Sequence, residues 1–283
     1  MKIIWKDDDN HMKVNRHGEL EYLSFEKIEE TGIVKHGFTT RLGGVSEGYL
    51  GTMNLSFTRG DDPEAVIENY RRIANALGVD MNKMVASHQT HTTNVRLVTE
   101  EDAGKGIIKP KDYEDIDGLI TNIPGLTLST FYADCVPLYF VDPVHKAIGL
   151  SHSGWRGTVE KMGKATLEAM YDAFGTKPED VIAAIGPSIC QDCYEVSEDV
   201  VDAFREAFPE KDDIYRKGRL SEDGQKYQLD LWKANEYILL EAGVLLHNIQ
   251  KPGICTCCNP EYLFSHRASH GKRGNLAAFL CLK

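Results

Sequence analysis

Three places in the chain carry metal-competent side chains beside small or turn-forming neighbours. They are His88 and His91 in His88-Gln89-Thr90-His91, Cys135 in Ala133-Asp134-Cys135, and His152 ahead of Ser153-Gly154-Trp155-Arg156-Gly157. Imidazole nitrogen and thiolate sulfur are good donors to Zn²⁺, and three protein ligands leave a fourth position for water or substrate. Copper also accepts two histidines and a cysteine. The separations, 44 residues from position 91 to 135 and 17 from 135 to 152, exceed any zinc-finger spacing. Such a site has to be assembled from separate strand ends. Read plainly, a histidine at a strand end makes a structural hydrogen bond and a cysteine in an apolar stretch is core. Two Cys-x-x-Cys pairs, Cys190/Cys193 and Cys255/Cys258, would form a Cys₄ structural zinc if they met; they are read here as free thiols, as are Cys257 and Cys281. Gly43-Gly44 and Gly154-Trp155-Arg156-Gly157 can bring backbone N–H groups to a phosphate, but turn formation explains them equally well and no P-loop or G-x-G-x-x-G is present.

The elements that must position these residues follow from periodicity and punctuation. His36 to Thr40 reads as a strand running into the Gly43-Gly44 turn, and Asp61-Asp62-Pro63-Glu64 opens a helix whose Val66, Tyr70, Ile73, Ala74 and Leu77 recur at helical spacing before Gly78. Two β segments flank a polar bend between positions 84 and 98, and the bend holds His88 and His91. Leu126 to Phe131, Val136 to Val141 and Ala147 to Ser151 are short apolar runs that suit buried strands. Thr158 is a candidate N-cap for the helix that follows, Val181 to Ile185 is a strand, helices are expected near 197–208 and 230–242, and Asn275 to Leu282 closes the chain as a strand. Strands and helices intermix without regular βαβ spacing, which argues against a doubly wound sheet.

The chain has 283 residues, 42% of them hydrophobic, and a net charge of −11. That composition supports a sizeable core and one domain spanning 1–283, with residues 1–30 as a peripheral, charged N-terminal segment. The negative field works against phosphate-backbone binding, so no nucleic-acid partner is expected. No apolar run approaches the length of a membrane span, and the Asp7-Asp8-Asp9 run after Ile3, Ile4 and Trp5 argues against a signal peptide. A cytoplasmic protein with reduced cysteines, monomeric or a small homo-oligomer, is the expectation.

Taken in order, the motifs resemble the YfiH-type laccase-domain family, also described as bacterial purine nucleoside phosphorylases and formerly as multicopper polyphenol oxidases. The matching segments include Phe38-Thr39-Thr40-Arg41-Leu42-Gly43-Gly44-Val45-Ser46, Met53-Asn54-Leu55, Gly60-Asp61-Asp62, His88-Gln89-Thr90-His91 and Asp115-Ile116-Asp117-Gly118-Leu119-Ile120-Thr121. They continue through Ala133-Asp134-Cys135-Val136-Pro137, His152-Ser153-Gly154-Trp155-Arg156-Gly157-Thr158, Ile185-Gly186-Pro187-Ser188-Ile189-Cys190, Cys193-Tyr194-Glu195-Val196 and Phe264-Ser265-His266-Arg267. Ile116 stands where the family often has Ala, and Cys190 where it often has Gly.

The resemblance implies an α+β fold, a mixed β-sheet core flanked by helices, and a zinc site made by His91, Cys135 and His152. It also implies phosphorolysis of adenosine, inosine and methylthioadenosine, with hydrolytic deamination of adenosine; the partners are then a small purine nucleoside and phosphate. Zinc lowers the pKa of bound water and suits attack at C6 of the purine, with His88 and Asp117 as candidate proton shuttles. Phosphorolysis needs an anion held against the ribose, for which Arg41 and Arg156 are the candidate arginines. Asn54 is a candidate for ribose or base contact, and Asp134 for orienting ligands. Two rival functions are a copper-dependent polyphenol oxidase, for which one His-Cys-His set is thin, and a factor that edits peptidoglycan precursors.

Overall fold

Strands that are apolar on both faces set the architecture. In the computed structural model, which describes residues 2–6 and 12–283, the strands in chain order are β1 (Met12–His17), β2 (Leu20–Phe25), β3 (Val34–Thr39), β4 (Met84–Ala86), β5 (Val95–Leu97), β6 (Gly118–Thr121), β7 (Thr127–Tyr132) and β8 (Val136–Asp142). They continue with β9 (Ala147–Ser153), β10 (Ile182–Ile185), β11 (Glu195–Ser197), β12 (Tyr215–Ser221), β13 (Gly224–Leu229), β14 (Ile249–Gln250) and β15 (Leu276–Leu282). The helices are α1 (Glu26–Glu30), α2 (Pro63–Leu77), α3 (Trp155–Val159), α4 (Met162–Phe174), α5 (Glu198–Ala207) and α6 (Leu231–Glu241). The Asp7-Asp8-Asp9 run lies outside the described residues. No described helix is long and apolar enough to cross a membrane.

Two six-stranded mixed sheets, ordered β1-β2-β3-β15-β7-β4 and β14-β10-β8-β9-β6-β5, form the centre. Alternation along β8 and β15 shows how. Tyr139 and Val141 join Ala278, Leu280 and Leu282 in the core between the sheets. Leu138 and Phe140 point outward to α4 and α6, while Ala277 and Phe279 point outward to α2. Both faces of these strands are therefore covered, which is why they read as continuous apolar runs. The result is four layers, helix, sheet, sheet and helix, in one α+β domain. The hydroxyl of Tyr139 donates across the inter-sheet core to the carbonyl of Gly37 at 3.1 Å.

Local signals placed α2 well. Asp62 caps it by accepting from the Glu64 N–H at 3.0 Å, Pro63 begins it, and Gly78 closes it with φ 66°. Other expectations shift. The β segments on either side of the histidine bend are three residues each, and they belong to different sheets, β4 to the first and β5 to the second. Thr158 is not an N-cap: the helix begins earlier, after Gly154, and the Thr158 hydroxyl donates back to the Gly154 carbonyl at 2.9 Å. Lys161, with φ 61°, then separates α3 from α4. Of the N-terminal segment expected to be peripheral, β1 and β2 are outer strands of the first sheet, yet Leu23 and Phe25 are fully buried in the shared core. The hairpin of β12 and β13, which pairs with β11 as a small third sheet, was not anticipated. Its exposed strand pattern, Tyr215-Arg216-Lys217-Gly218-Arg219-Leu220-Ser221, lacks the apolar alternation that marks the central strands.

Candidate active site

The bend between β4 and β5 is shaped by one buried carboxylate. Asp117, at the mouth of β6 and with no exposed surface, accepts from the backbone N–H groups of Thr90 at 2.9 Å, His91 at 3.2 Å and Thr92 at 3.0 Å, and from the Thr92 hydroxyl at 3.2 Å. Three successive amides wrapped on one anion force a tight loop, and His91 takes φ 69° within it. Gln89 pins the other side: its amide exchanges hydrogen bonds with the backbone of Phe131, at 2.8 and 2.7 Å, as a neighbouring strand would. The loop can therefore hold His91 over the end of the second sheet.

Cys135 immediately precedes β8 and His152 lies near the end of β9, and these strands are antiparallel neighbours with Pro137 opposite His152. The preceding residue, Asp134, has φ 90°, which turns the chain so that Cys135 faces the bend. Its carboxylate is held by the Thr256 hydroxyl at 2.6 Å and the Arg267 N–H at 2.7 Å, and its carbonyl accepts from the Ile189 N–H at 3.0 Å. The donor atoms of His91, Cys135 and His152 all lie within 4.8 Å of one another, with 3.9 Å between the Cys135 Sγ and the His91 Nε2.

Asp117 completes the arrangement, because its Oδ1 lies 2.7 Å from Nδ1 of the buried His152. The carboxylate holds a proton on Nδ1, so the proton that a metal would displace from this imidazole is the one on Nε2, which becomes the ligating nitrogen. Burial opposes ionisation of both Cys135 and His152, but their mutual attraction, helped by His91 and Asp117, prevails. The Cys135 thiol is brought down to about 6 and the His152 imidazole up to about 9. The protein thus prepares a thiolate at neutral pH. Gly154 leaves the space: a Cβ there would sit 2.8 Å from the His91 ring and 3.3 Å from the Cys135 Sγ. Two imidazoles and one thiolate, a carboxylate-anchored tautomer and an uncrowded centre fit a zinc-type ion.

The trio opens on a cavity of about 430 Å³. Three cationic side chains line the same space: Arg59, Lys111 and Arg273. The Nε atoms of Arg59 and Arg273 are buried without a hydrogen-bond partner among the described residues. Burial, and then the charge of Arg59, lowers Arg273 to about 10. Burial likewise lowers Lys111, whose ammonium donates to the Ser87 carbonyl at 2.9 Å. Two guanidinium groups with unanswered donors in one cavity form an anion-binding arrangement. Phe57 and Phe131 supply apolar lining.

His88 lines this cavity, and its Nδ1 accepts from the Asp115 N–H at 3.1 Å, which leaves Nε2 for a proton transfer. Asp117 lies behind His152 and does not line the cavity, so its geometry is that of a tether for the imidazole and the loop. Arg41 is elsewhere: it donates to the carbonyls of Gly51 and Pro260, at 3.0 and 2.7 Å, and covers the Phe264 ring. Arg156 folds over its own neighbour Trp155 and does not line the cavity. Asn54 is fully buried, accepting from the N–H groups of Ser56 and Asn275 and donating to Asp61. It joins the loop bearing Arg59 to the segment bearing Arg273 without reaching the cavity itself.

Arg59, Lys111 and Arg273 are the residues that sequence reasoning missed. Arg59 precedes the quoted Gly60-Asp61-Asp62, Arg273 sits in a glycine-rich turn and Lys111 in a charged loop. Basic residues in such places are ordinary, so no local signal separates them from solvated charges.

A family model described as multi-copper polyphenol oxidoreductase laccase matches residues 35–283. The purine nucleoside phosphorylase YlmD of Bacillus subtilis is 36% identical over 251 residues, 87% of this chain and 88% of that protein. The adenosine deaminase RL5, from an unknown prokaryotic organism, is 36% identical over 252 residues, covering 88% of this chain and 93% of RL5. The crystal structure of the YfiH protein of Bacillus licheniformis superposes with a TM-score of 0.88 at 32% identity, covering 95% of this chain and 99% of that one.

Proposed function

The chain belongs to this laccase-domain family, whose relatives include proteins named purine nucleoside phosphorylase and adenosine deaminase, and we propose that it is a zinc-dependent purine nucleoside phosphorylase that also deaminates adenosine. The observation that carries this reading is the pairing, in one cavity, of the His91, Cys135 and His152 donor set with the guanidinium groups of Arg59 and Arg273, each of which keeps an Nε donor that no group among the described residues answers. Oxidation of a neutral polyphenol has no need of an anion pocket beside its metal. A phosphorolytic enzyme does.

His91, Cys135 and His152 would hold the zinc, which when bound supplies Lewis acidity at the purine or at water. Arg59 and Arg273 receive phosphate, the planar forks offering paired N–H donors that strengthen as the anion loses water. Lys111 adds a third positive charge. His88, tethered through Nδ1, is placed to pass a proton at Nε2 to or from the purine. Asp117 fixes the His152 tautomer and the His91 loop. The cavity is of the size that takes a small ligand.

Zinc is the reading for a reason of ligand count. Among the described residues the donor groupings are this His-Cys-His set and one made of cysteines only. Multicopper chemistry needs further imidazole clusters. The test is incubation with adenosine, inosine and methylthioadenosine, with and without inorganic phosphate, followed by chromatography for free base, ribose 1-phosphate and deaminated nucleoside, alongside metal analysis. Phosphate-dependent base release by zinc-bearing protein is expected. Absence of both base release and deamination, or copper in place of zinc, overturns the reading.

A further inference from the structure

The remaining cysteines are not scattered. Cys190 and Cys193 follow β10, Cys255 and Cys258 follow β14, and β10 and β14 are parallel neighbours, so both Cys-x-x-Cys turns emerge at the same end of the second sheet. The four sulfur atoms lie within 4.8 Å of one another, with 3.4 Å between Cys193 and Cys258 and 3.9 Å between Cys190 and Cys258. Four thiolates at the corners of a tetrahedron, each about 2.3 Å from zinc, stand roughly 3.8 Å apart. The surroundings are those of a thiolate centre. The N–H groups of Cys190 and Cys258 both point at the Cys255 sulfur, at 3.2 and 3.4 Å. The Lys6 ammonium lies beside Cys190 and Cys258. Cys257, between the two turn cysteines, lies outside the cluster.

We infer that Cys190, Cys193, Cys255 and Cys258 bind a second zinc ion, a closed structural site separate from the cavity. Loading releases one proton from each thiol, and no redox partner is needed. Its position says what it would do. The turn of Cys190 and the turn of Cys255 also bond through the Thr256 N–H to the Ser188 carbonyl at 3.1 Å, and both reach Asp134. The ion therefore clips together the two loops that fix the residue before Cys135, and it anchors the N-terminal segment, where the Lys6 N–H donates to the Gly253 carbonyl at 2.8 Å.

The test is zinc content and X-ray absorption on the full chain purified under reducing conditions. Wild-type protein is expected to hold two zinc ions averaging about 2.5 sulfur ligands each, the mean of one and four. Cys135→Ala/His152→Ala should retain one ion with an all-sulfur shell, and Cys193→Ser/Cys258→Ser should lose that ion. Should the latter variant not fold, the sulfur count of wild-type protein still decides. One zinc with about one sulfur in wild-type protein, no zinc in Cys135→Ala/His152→Ala, iron in place of zinc, or a mass lower by the hydrogens of a disulfide at these cysteines would each overturn the inference.

Discussion

Replacing Asp117 with Asn tests how the His-Cys-His centre is built. The two carboxylate oxygens answer three backbone amides, one hydroxyl and Nδ1 of His152, all without exposure. An amide of the same shape keeps one acceptor and turns an NH₂ toward the rest. If the oxygen faces His152, the amides of Thr90 and Thr92 meet a donor, and unsatisfied buried groups cost about 1–3 kcal/mol each. If the NH₂ faces His152 instead, Nδ1 has to accept and the proton moves to Nε2, the nitrogen needed for metal. The first orientation weakens the fold; the second weakens the site. Loss of such a supporting carboxylate lowers metal affinity about 10–100-fold, and the stability cost, on the order of 2–4 kcal/mol, corresponds to a melting point lower by roughly 5–10 °C. Zinc affinity by competition with a chromogenic chelator and melting of the metal-free protein separate the two effects. A zinc affinity within about twofold of wild type together with an unchanged melting point would refute the tether argument.

Further predictions follow from single contacts. Arg273→Ala or Arg59→Ala should raise the phosphate KM at least about tenfold while changing deamination, which uses no phosphate, much less; equal losses in both reactions, measured side by side, would count against the anion pocket. Gly154→Ala leaves the backbone unstrained, since Gly154 has φ −74°, but puts a methyl 2.8 Å from the His91 ring; zinc affinity should fall with little change in the stability of the metal-free protein. His36 accepts from the Phe25 N–H at 2.8 Å, and burial lowers its pKa to about 4. The unfolded chain then binds the proton first, so the stability contributed by neutral His36 is complete above about pH 6.5 and is lost as pH falls toward 4, by up to about 3 kcal/mol. Denaturant titrations across that range should show the slope in wild-type protein and a flatter one in His36→Gln; identical slopes would exclude His36 as the source.

The cluster of His91, Cys135 and His152 was legible because its side-chain chemistry is rare and its neighbours are distinctive. A cysteine after Ala-Asp and a histidine before Ser-Gly-Trp-Arg-Gly mark strand ends, and the apolar runs of β8 and β9 mark the strands. What the sequence could not convey was which loops share a cavity. Arg41 and Arg156 lie beside recognisable motifs, yet the first is occupied by two carbonyls and an aromatic ring and the second rests on Trp155. Arg59 and Arg273 carry no local mark; they converge because Asn54 ties their segments together. Asp117 shows the same limit from the other side, since an acid two residues before an apolar run reads as a proton shuttle until its five donors are seen. The third sheet escaped because β12 is charged and largely exposed and β13 buries only Tyr227 and Leu229, too few apolar positions to read as a strand.

The placement of the two halves of the site explains how an acidic protein builds a cavity lined by cations. Cys135 and His152 come from the second sheet, Arg273 leads into β15 of the first, and His91 rides on the loop that passes from one sheet to the other. The metal donors and the guanidinium groups are therefore fixed to opposite layers and meet at the seam between them. Net charge of −11 describes the outer surface, where solvent screens it within about 8–10 Å. In the cavity, the buried Arg273 and half-buried Arg59 guanidinium groups, whose Nε donors no group among the described residues answers, are screened far less, so the local field favours an anion despite the global sign. Separate layers also set what each half can lose independently. Removing Arg273 empties the anion side without touching the donors held by β8 and β9, whereas removing Asp117 disturbs the loop and the imidazole together. A site assembled on one layer would not divide in this way, and the contrast between those two variants reports directly on the seam.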